Sequence, residues 1–283
     1  MRKAKFLAAL LLAAAAMPAF PLTALAAAPD APGVSDPAMA AVLADPRRDK
    51  DRARDPFRHP AETLAFFGIR PGMTVVDFIP SGGWYTRILL PYLGEKGQYI
   101  GLNPSVVNGT AQQKEWFADA ATKFPPKAAA WTGMPVSRVH AYNSDGLPAT
   151  LKGKVDRVIM MREFHNLWPD GLMYAELATI RGLLKEDGLL GIEEHRAKAD
   201  APGSYTLGTM GYMREADVIA LVEAHGFRLV GKSEVNANPK DSANWPDGVW
   251  TLPPSLTLKD KDREKYVAIG ESDRMTLLFA KRP

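Results

Sequence analysis

Two short stretches of this chain gather acid–base side chains. Glu163, His165 and Asn166 follow the apolar run Val155–Met161, and Glu193, Glu194 and His195 close the run Leu189–Glu193. An imidazole titrates near neutrality, so either histidine can act as a general base. Two histidines with one glutamate can also hold a metal. They lack the close helical spacing of a His-Glu-x-x-His site, so no metal is assigned from the sequence. A third stretch has a different character. Thr74–Ile79 is a β-branched run containing Asp77, and Ser81-Gly82-Gly83 follows before a helical pattern begins at Trp84. A glycine turn between a strand and a helix lets a ligand approach the backbone and meet the free N–H groups of the helix start. That arrangement points to a nucleoside-type cofactor.

The elements that must position these groups alternate from Met73 onward. Strands are expected at Thr74–Ile79, Gln98–Leu102, Ser137–Ala141, Val155–Met161, Leu189–Glu193, Arg228–Val235 and Arg274–Ala280. Helices are expected at Pro60–Phe67, Trp84–Leu93, Thr110–Lys123, Gly171–Leu184 and Arg214–His225. Such alternation argues for an α/β, doubly wound sheet with helices on both faces. No helical pattern separates the last two strands, so they can pair antiparallel. Ligands of such sheets bind at the carboxyl ends of the strands. Asn236–Ile269 has no clear period and contains Pro239, Pro246, Pro253, Pro254, Trp245 and Trp250. It reads as a covering segment whose tryptophans plug the core, and Pro202–Gly208 as a mobile lid.

The amino terminus carries its own signal. Arg2, Lys3 and Lys5 precede an apolar run from Phe6 to Ala16, and Ala24-Leu25-Ala26 fits small-x-small cleavage. This order is that of a signal peptide, residues 1–26, and implies a periplasmic or secreted protein with no stable membrane insertion after cleavage. There is no cysteine, so neither a disulfide nor a lipid-modified cysteine is available. The whole chain of 283 residues is formally +3. Residues 1–26 hold three basic and no acidic residues, which leaves 32 basic against 32 acidic in the remainder. A neutral domain lacks the footprint of a nucleic-acid binder. Residues 27–43 read as a disordered leader and 44–283 as one domain. Arg47, Arg48, Arg52, Arg54 and Arg58 alternate with aspartates and read as a solvated face.

Several pieces in this order resemble class I S-adenosylmethionine-dependent methyltransferases, in particular an exported bacterial subgroup. They are Asp51–Glu62, Pro71–Asp77, Gly82–Thr86, Phe164–Leu167, Glu194–Ala197 and Glu271–Phe279. The resemblance implies a Rossmann-like sheet of seven strands with the last one reversed, and S-adenosylmethionine as cofactor. It implies that Asp77, Ser81, Gly82, Gly83, Asn103 and Asp145 surround the donor. Asp77 would order the loop and the donor's amino group, Asn103 would meet the ribose hydroxyls, and Asp145 the adenine. His165, His195 and Glu163 would then stand at the reactive end, with His165 the first choice of base. The chain departs from the family loop, because Ile79 and Ser81 stand where two of its glycines belong. Asn103 likewise replaces the usual acid.

The leading expectation is therefore methyl transfer to a small-molecule acceptor. One rival is a binding protein that keeps the fold without transfer chemistry. Another is a metal-assisted hydrolase or lyase using His165 and His195. A nicotinamide dehydrogenase fits least, since the loop is not Gly-x-Gly-x-x-Gly.

Overall fold

The computed structural model describes residues 36–107 and 109–283. The segment read as a signal peptide, residues 1–26, and most of the expected leader lie outside these residues. Seven strands form one sheet in the order β3-β2-β1-β4-β5-β7-β6. They are β1 Thr74–Phe78, β2 Gln98–Asn103, β3 Val139–Asn143, β4 Val155–Met161, β5 Leu184–His195, β6 Phe227–Ser233 and β7 Arg274–Lys281. The first five pair parallel, and β7 runs antiparallel to both β5 and β6. This is the class I methyltransferase type of sheet, with its last strand reversed and inserted between β5 and β6. The alternation of side chains explains both layers. Val76, Phe78, Val158, Met160, Leu190, Ile192, Leu277 and Phe279 face the helices Met173–Leu183 and Glu215–Ala224. Val75, Tyr99, Ile159 and Leu278 face the helices Pro60–Phe66, Thr86–Tyr92 and Ala120–Thr132.

Four sequence expectations change. The segment expected as one helix over Thr110–Lys123 is two, Ala111–Phe117 and Ala120–Thr132. The second runs through Pro125-Pro126, which remove two backbone donors and hide the helix from a sequence reading. The expected leader, residues 27–43, does not hold over its last seven residues. Pro37–Leu43 is a helix capped by the Asp36 carboxylate, and Met39 joins the core. Tyr92 donates to Asp36 at 2.6 Å, which ties that helix down. Third, the arginine-rich segment is not a solvated face throughout. Arg47 and Arg52 are exposed, but Arg48 and Arg58 are buried. Arg48 forms a two-pronged pair with Asp55, and both Arg48 and Arg58 lie over the Trp84 ring. Fourth, β5 is longer than Leu189–Glu193 and starts directly from the preceding helix at Leu184.

The segment 236–269 closes over the carboxyl end of β5 and the amino end of β7. It is organised by the fully buried Asp241, which accepts from Tyr212 at 2.9 Å, Trp245 at 2.7 Å and the Asp273 amide at 2.8 Å. Trp245 is half-buried and packs on the small cluster of Ala197, Tyr212, Ala243 and Val249, not in the main core. Trp250 instead leans on His165, with ring centres 6.0 Å apart. No helix among the described residues is long and apolar enough to cross a membrane.

Candidate functional site

A cleft of about 390 Å³ opens at the carboxyl ends of β1 and β2. Its lining includes Ile79, Ser81, Gly82, Asn103, Trp116 and Trp131. The loop that forms its floor keeps a glycine-like shape with few glycines. Ile79, Ser81 and Gly83 all have positive φ, 52°, 47° and 72°. A left-handed backbone at a β-branched residue is strained by roughly 1–3 kcal/mol and persists only where its surroundings impose it. Here Ile79 N–H donates to Leu102 at 2.7 Å and Gly83 N–H to Pro80 at 2.8 Å. Arg87 reaches back to the Gly82 carbonyl at 2.9 Å and is itself held by Asp51. The helix then starts at Thr86, two residues later than its pattern suggests.

Asn103 ends β2 and faces this cleft. It is buried, and its Nδ2 has no hydrogen-bond partner. A buried amide donor without a partner costs about 1–3 kcal/mol, so such groups mark strain or a ligand. Ser81 and Gly82 line the cleft beside it. Gly83 does not. A Cβ at Gly83 would lie 2.3 Å from the Trp131 ring, so this glycine makes room for the indole. Asp77 is also outside the cleft. It is enclosed under β1, where it accepts from Tyr99 at 2.8 Å and Thr86 at 3.4 Å. Burial pushes its carboxyl up to about 7. Asp145 is exposed and binds protein groups: one oxygen accepts from the Ser105 hydroxyl and the Val106 and Val107 amides at 3.1–3.2 Å. It orders the turn after β2 and does not line the cleft.

The acid–base residues gather at the ends of β4 and β5. Glu163 connects them to the loop, since Ser81 Oγ donates to it at 3.4 Å and Asn166 Nδ2 at 2.8 Å. Burial pushes Glu163 up to about 7. His165 Nδ1 and Glu194 Oε1 are 2.9 Å apart. Burial alone would lower this imidazole, but the adjacent Glu194 charge holds it above its ordinary value. The His195 ring lies 5.3 Å from that of His165, and its Nδ1 is 2.5 Å from Ser272 Oγ. Burial, then His165 and three arginines, hold His195 well below its ordinary value. Its neutral form is therefore favoured.

Glu193 faces the opposite side of the sheet, as alternation requires. Burial would raise it, but Arg162, Arg274 and Arg58 overcome that and lower it. Arg162 binds Glu193 at 2.7 Å, and Arg274 approaches it at 3.2 Å. Glu271 extends the network to Arg54, Arg58 and Arg274, which depress it to about 2 despite its burial. Arg162 and Trp131 were not singled out in the sequence, and Glu271 and Ser272 only as part of the closing motif, with no role at the site. Arg162 offered one signal, a charge directly after an apolar strand.

No protein-family model and no curated protein matches the chain. Many solved structures do. The (4+2)-cyclase SpnF is 16% identical, with a TM-score of 0.53 over 80% of this chain and 81% of its own. A SAM dependent methyltransferase from Aquifex aeolicus is 20% identical over 70% of this chain and 93% of its own, with a TM-score of 0.45. The 1,6-didemethyltoxoflavin-N1-methyltransferase of Burkholderia thailandensis was solved with bound S-adenosylhomocysteine. It is 18% identical over 90% of this chain and 93% of its own, at a TM-score of 0.47. These likenesses concern the fold. One bearer of the fold is named as a cyclase, and function must be argued from the site.

Two outcomes follow from the buried groups. Asp77 is protonated more readily when folded than at its ordinary value of 3.8, so its contribution is full below that pH and is lost as pH rises towards about 7. Asp77→Asn keeps an acceptor for Tyr99 without the charge. Urea unfolding between pH 4 and 8 should show wild type losing stability relative to this variant by up to about 4 kcal/mol, and parallel profiles would refute it. Gly83→Val should lose at least about 2 kcal/mol in the same assay, from the Trp131 clash and the left-handed backbone. Unchanged stability would show that the indole is not held against residue 83.

Proposed function

We propose that this protein binds S-adenosylmethionine in the cleft at the ends of β1 and β2 and transfers its methyl group to a small-molecule acceptor. The unpartnered Asn103 Nδ2 is the observation that carries this reading. It stands at the end of β2, where a ribose hydroxyl would accept from it. Ser81 and Gly82 offer open backbone on the same wall, and no atom lies within 4 Å of a Cβ added at Gly82. Trp116 and Trp131 supply apolar cover. In the transfer, the sulfur–methyl bond breaks as the acceptor's bond to carbon forms, and S-adenosylhomocysteine leaves. The acceptor's proton goes to a base. Glu163 is the base of choice on position, since it joins the cofactor loop through Ser81 to the end of β4. His165 is the second choice: its Nε2 is free, but the Glu194 charge beside Nδ1 holds the ring above its ordinary value and favours the protonated form. Catalysis of this kind asks mainly for alignment of nucleophile, methyl and sulfur.

Calorimetry with S-adenosylmethionine and S-adenosylhomocysteine tests the reading. Wild type should bind both. Asn103→Leu should weaken each by at least about tenfold, or 1.4 kcal/mol, while circular dichroism stays native. Asn103→Asp should tighten both, because a carboxylate accepts a charge-assisted hydrogen bond from a hydroxyl. No binding of either nucleoside by folded wild type at millimolar concentration would end the proposal. It would favour a binding protein for another small molecule.

We also propose export, on the order of charge, apolar run and small residues over residues 1–26. Mass spectrometry of protein recovered from its native source should show a start near Ala27. A chain that retains Met1 in the membrane fraction would contradict it.

A further inference from the structure

We propose that His165, Glu194 and His195 form a binding site for one divalent transition-metal ion of the zinc or cobalt type. The inference stands on this cluster alone and does not rest on the methyl-transfer reading. One ligand-capable atom from each residue lies within 4.8 Å of the other two. Zinc–ligand bonds of about 2.0–2.2 Å place ligand atoms roughly 3.3 Å apart, so binding draws the three inward by small side-chain rotations.

The supporting contacts are those a metal site needs. His195 Nδ1 is fixed by Ser272 Oγ, which leaves Nε2 as its metal-binding nitrogen. Neither histidine Nε2 has a hydrogen-bond partner among the described residues. Glu194 is set before any ion arrives. Its Oε2 accepts from the His165 amide at 3.1 Å and its Oε1 from the His195 amide at 2.7 Å. Oriented partners of this kind fix ring tautomers and typically change metal affinity 10–100-fold when removed. Two imidazoles and one carboxylate suit zinc, cobalt, nickel or iron better than calcium or magnesium. Such a set also leaves coordination positions open.

Charge does not forbid the ion. Arg58, Arg162 and Arg274 are the nearby cations, and Glu193 and Glu271 bind all three. Glu163 and Glu194 add two carboxylates beside His165. Trp250 beside His165 and Tyr212 beside His195 wall the cluster off with aromatic rings. The ion would therefore lie beneath the 236–269 segment, where it could polarise an oxygen of a bound molecule.

The test uses the full-length chain freed of metal by chelation and dialysis, titrated with zinc chloride and with cobalt chloride. One ion per chain should bind with a dissociation constant below about 10 µM. Cobalt should give visible d–d absorption, and zinc should displace it. His195→Ala should weaken binding at least 100-fold and Glu194→Gln at least tenfold. His225→Ala, whose ring stacks near Tyr174 on another helix, should bind as wild type does. Absence of stoichiometric binding by wild type, or equal affinity in folded His195→Ala, overturns the proposal. Should either site variant fail to fold, the wild-type proton spectrum decides. Zinc must shift the ring protons of two histidines but not those of the other three, and a spectrum without that selective shift overturns the proposal.

Discussion

Two consecutive carboxylates with no exposed surface, Glu193 and Glu194, set the terms for the carboxyl edge of this sheet. The pleat sends them to opposite faces, so one partner cannot serve both. Each buried charge would cost several kcal/mol if left uncompensated. Glu193 is answered by arginines drawn from the end of β4 and the start of β7, with a third on the amino-terminal segment. Glu194 is answered by two backbone amides and an imidazole. The arginine-rich segment before the first strand, the Glu271–Arg274 corner and the short turn at His165 are thus held together by one electrostatic demand. Residues 210 or more positions apart in sequence meet there, as Arg58 does with Glu271.

The same demand separates two environments at one sheet edge. Around Glu193, charges are dense and each arginine has an ion-pair partner, which makes a rigid brace. Beside Glu194, at the end of the strand, two imidazoles keep unengaged nitrogens next to the rings of Trp250 and Tyr212. The cleft at β1 and β2 lies beside them, and the Ser81–Glu163 contact joins the two.

The strands were legible because β-branched runs and their bounding turns carry a strong local signal. So was the place of the loop, since Ser81-Gly82-Gly83 can do little else. The positive φ values of Ile79 and Ser81 were not legible. Nothing in an isoleucine announces a left-handed backbone, and here hydrogen bonds from β2 and Pro80 impose it. Arg48 and Arg58 looked like Arg47 and Arg52, since charge spacing alone cannot tell a solvated pair from one closed over by Trp84. Asp77 and Asp145 were given cofactor roles through a resemblance, yet Tyr99 and the 105–107 turn claim their oxygens. Gly83 was read as space for a ligand and is space for Trp131, a residue 48 positions away. Such pairings arise from packing between elements and leave no trace in local pattern.

The insertion of β7 between β5 and β6 has a consequence for how the sheet is completed. β6 touches the rest of the sheet only through β7. While the chain emerges from its amino end, β5 therefore keeps an open edge until residues 274–281 arrive. An unpaired edge rich in Leu and Ile is a template for association with other chains. The amphipathic helix Glu215–Ala224 can dock on the sheet early, but it cannot cover that edge. Assembly of this architecture is thus a closing operation performed late, with β7 as the key piece. A chaperone that shields the β5 edge would matter most during the interval before it enters.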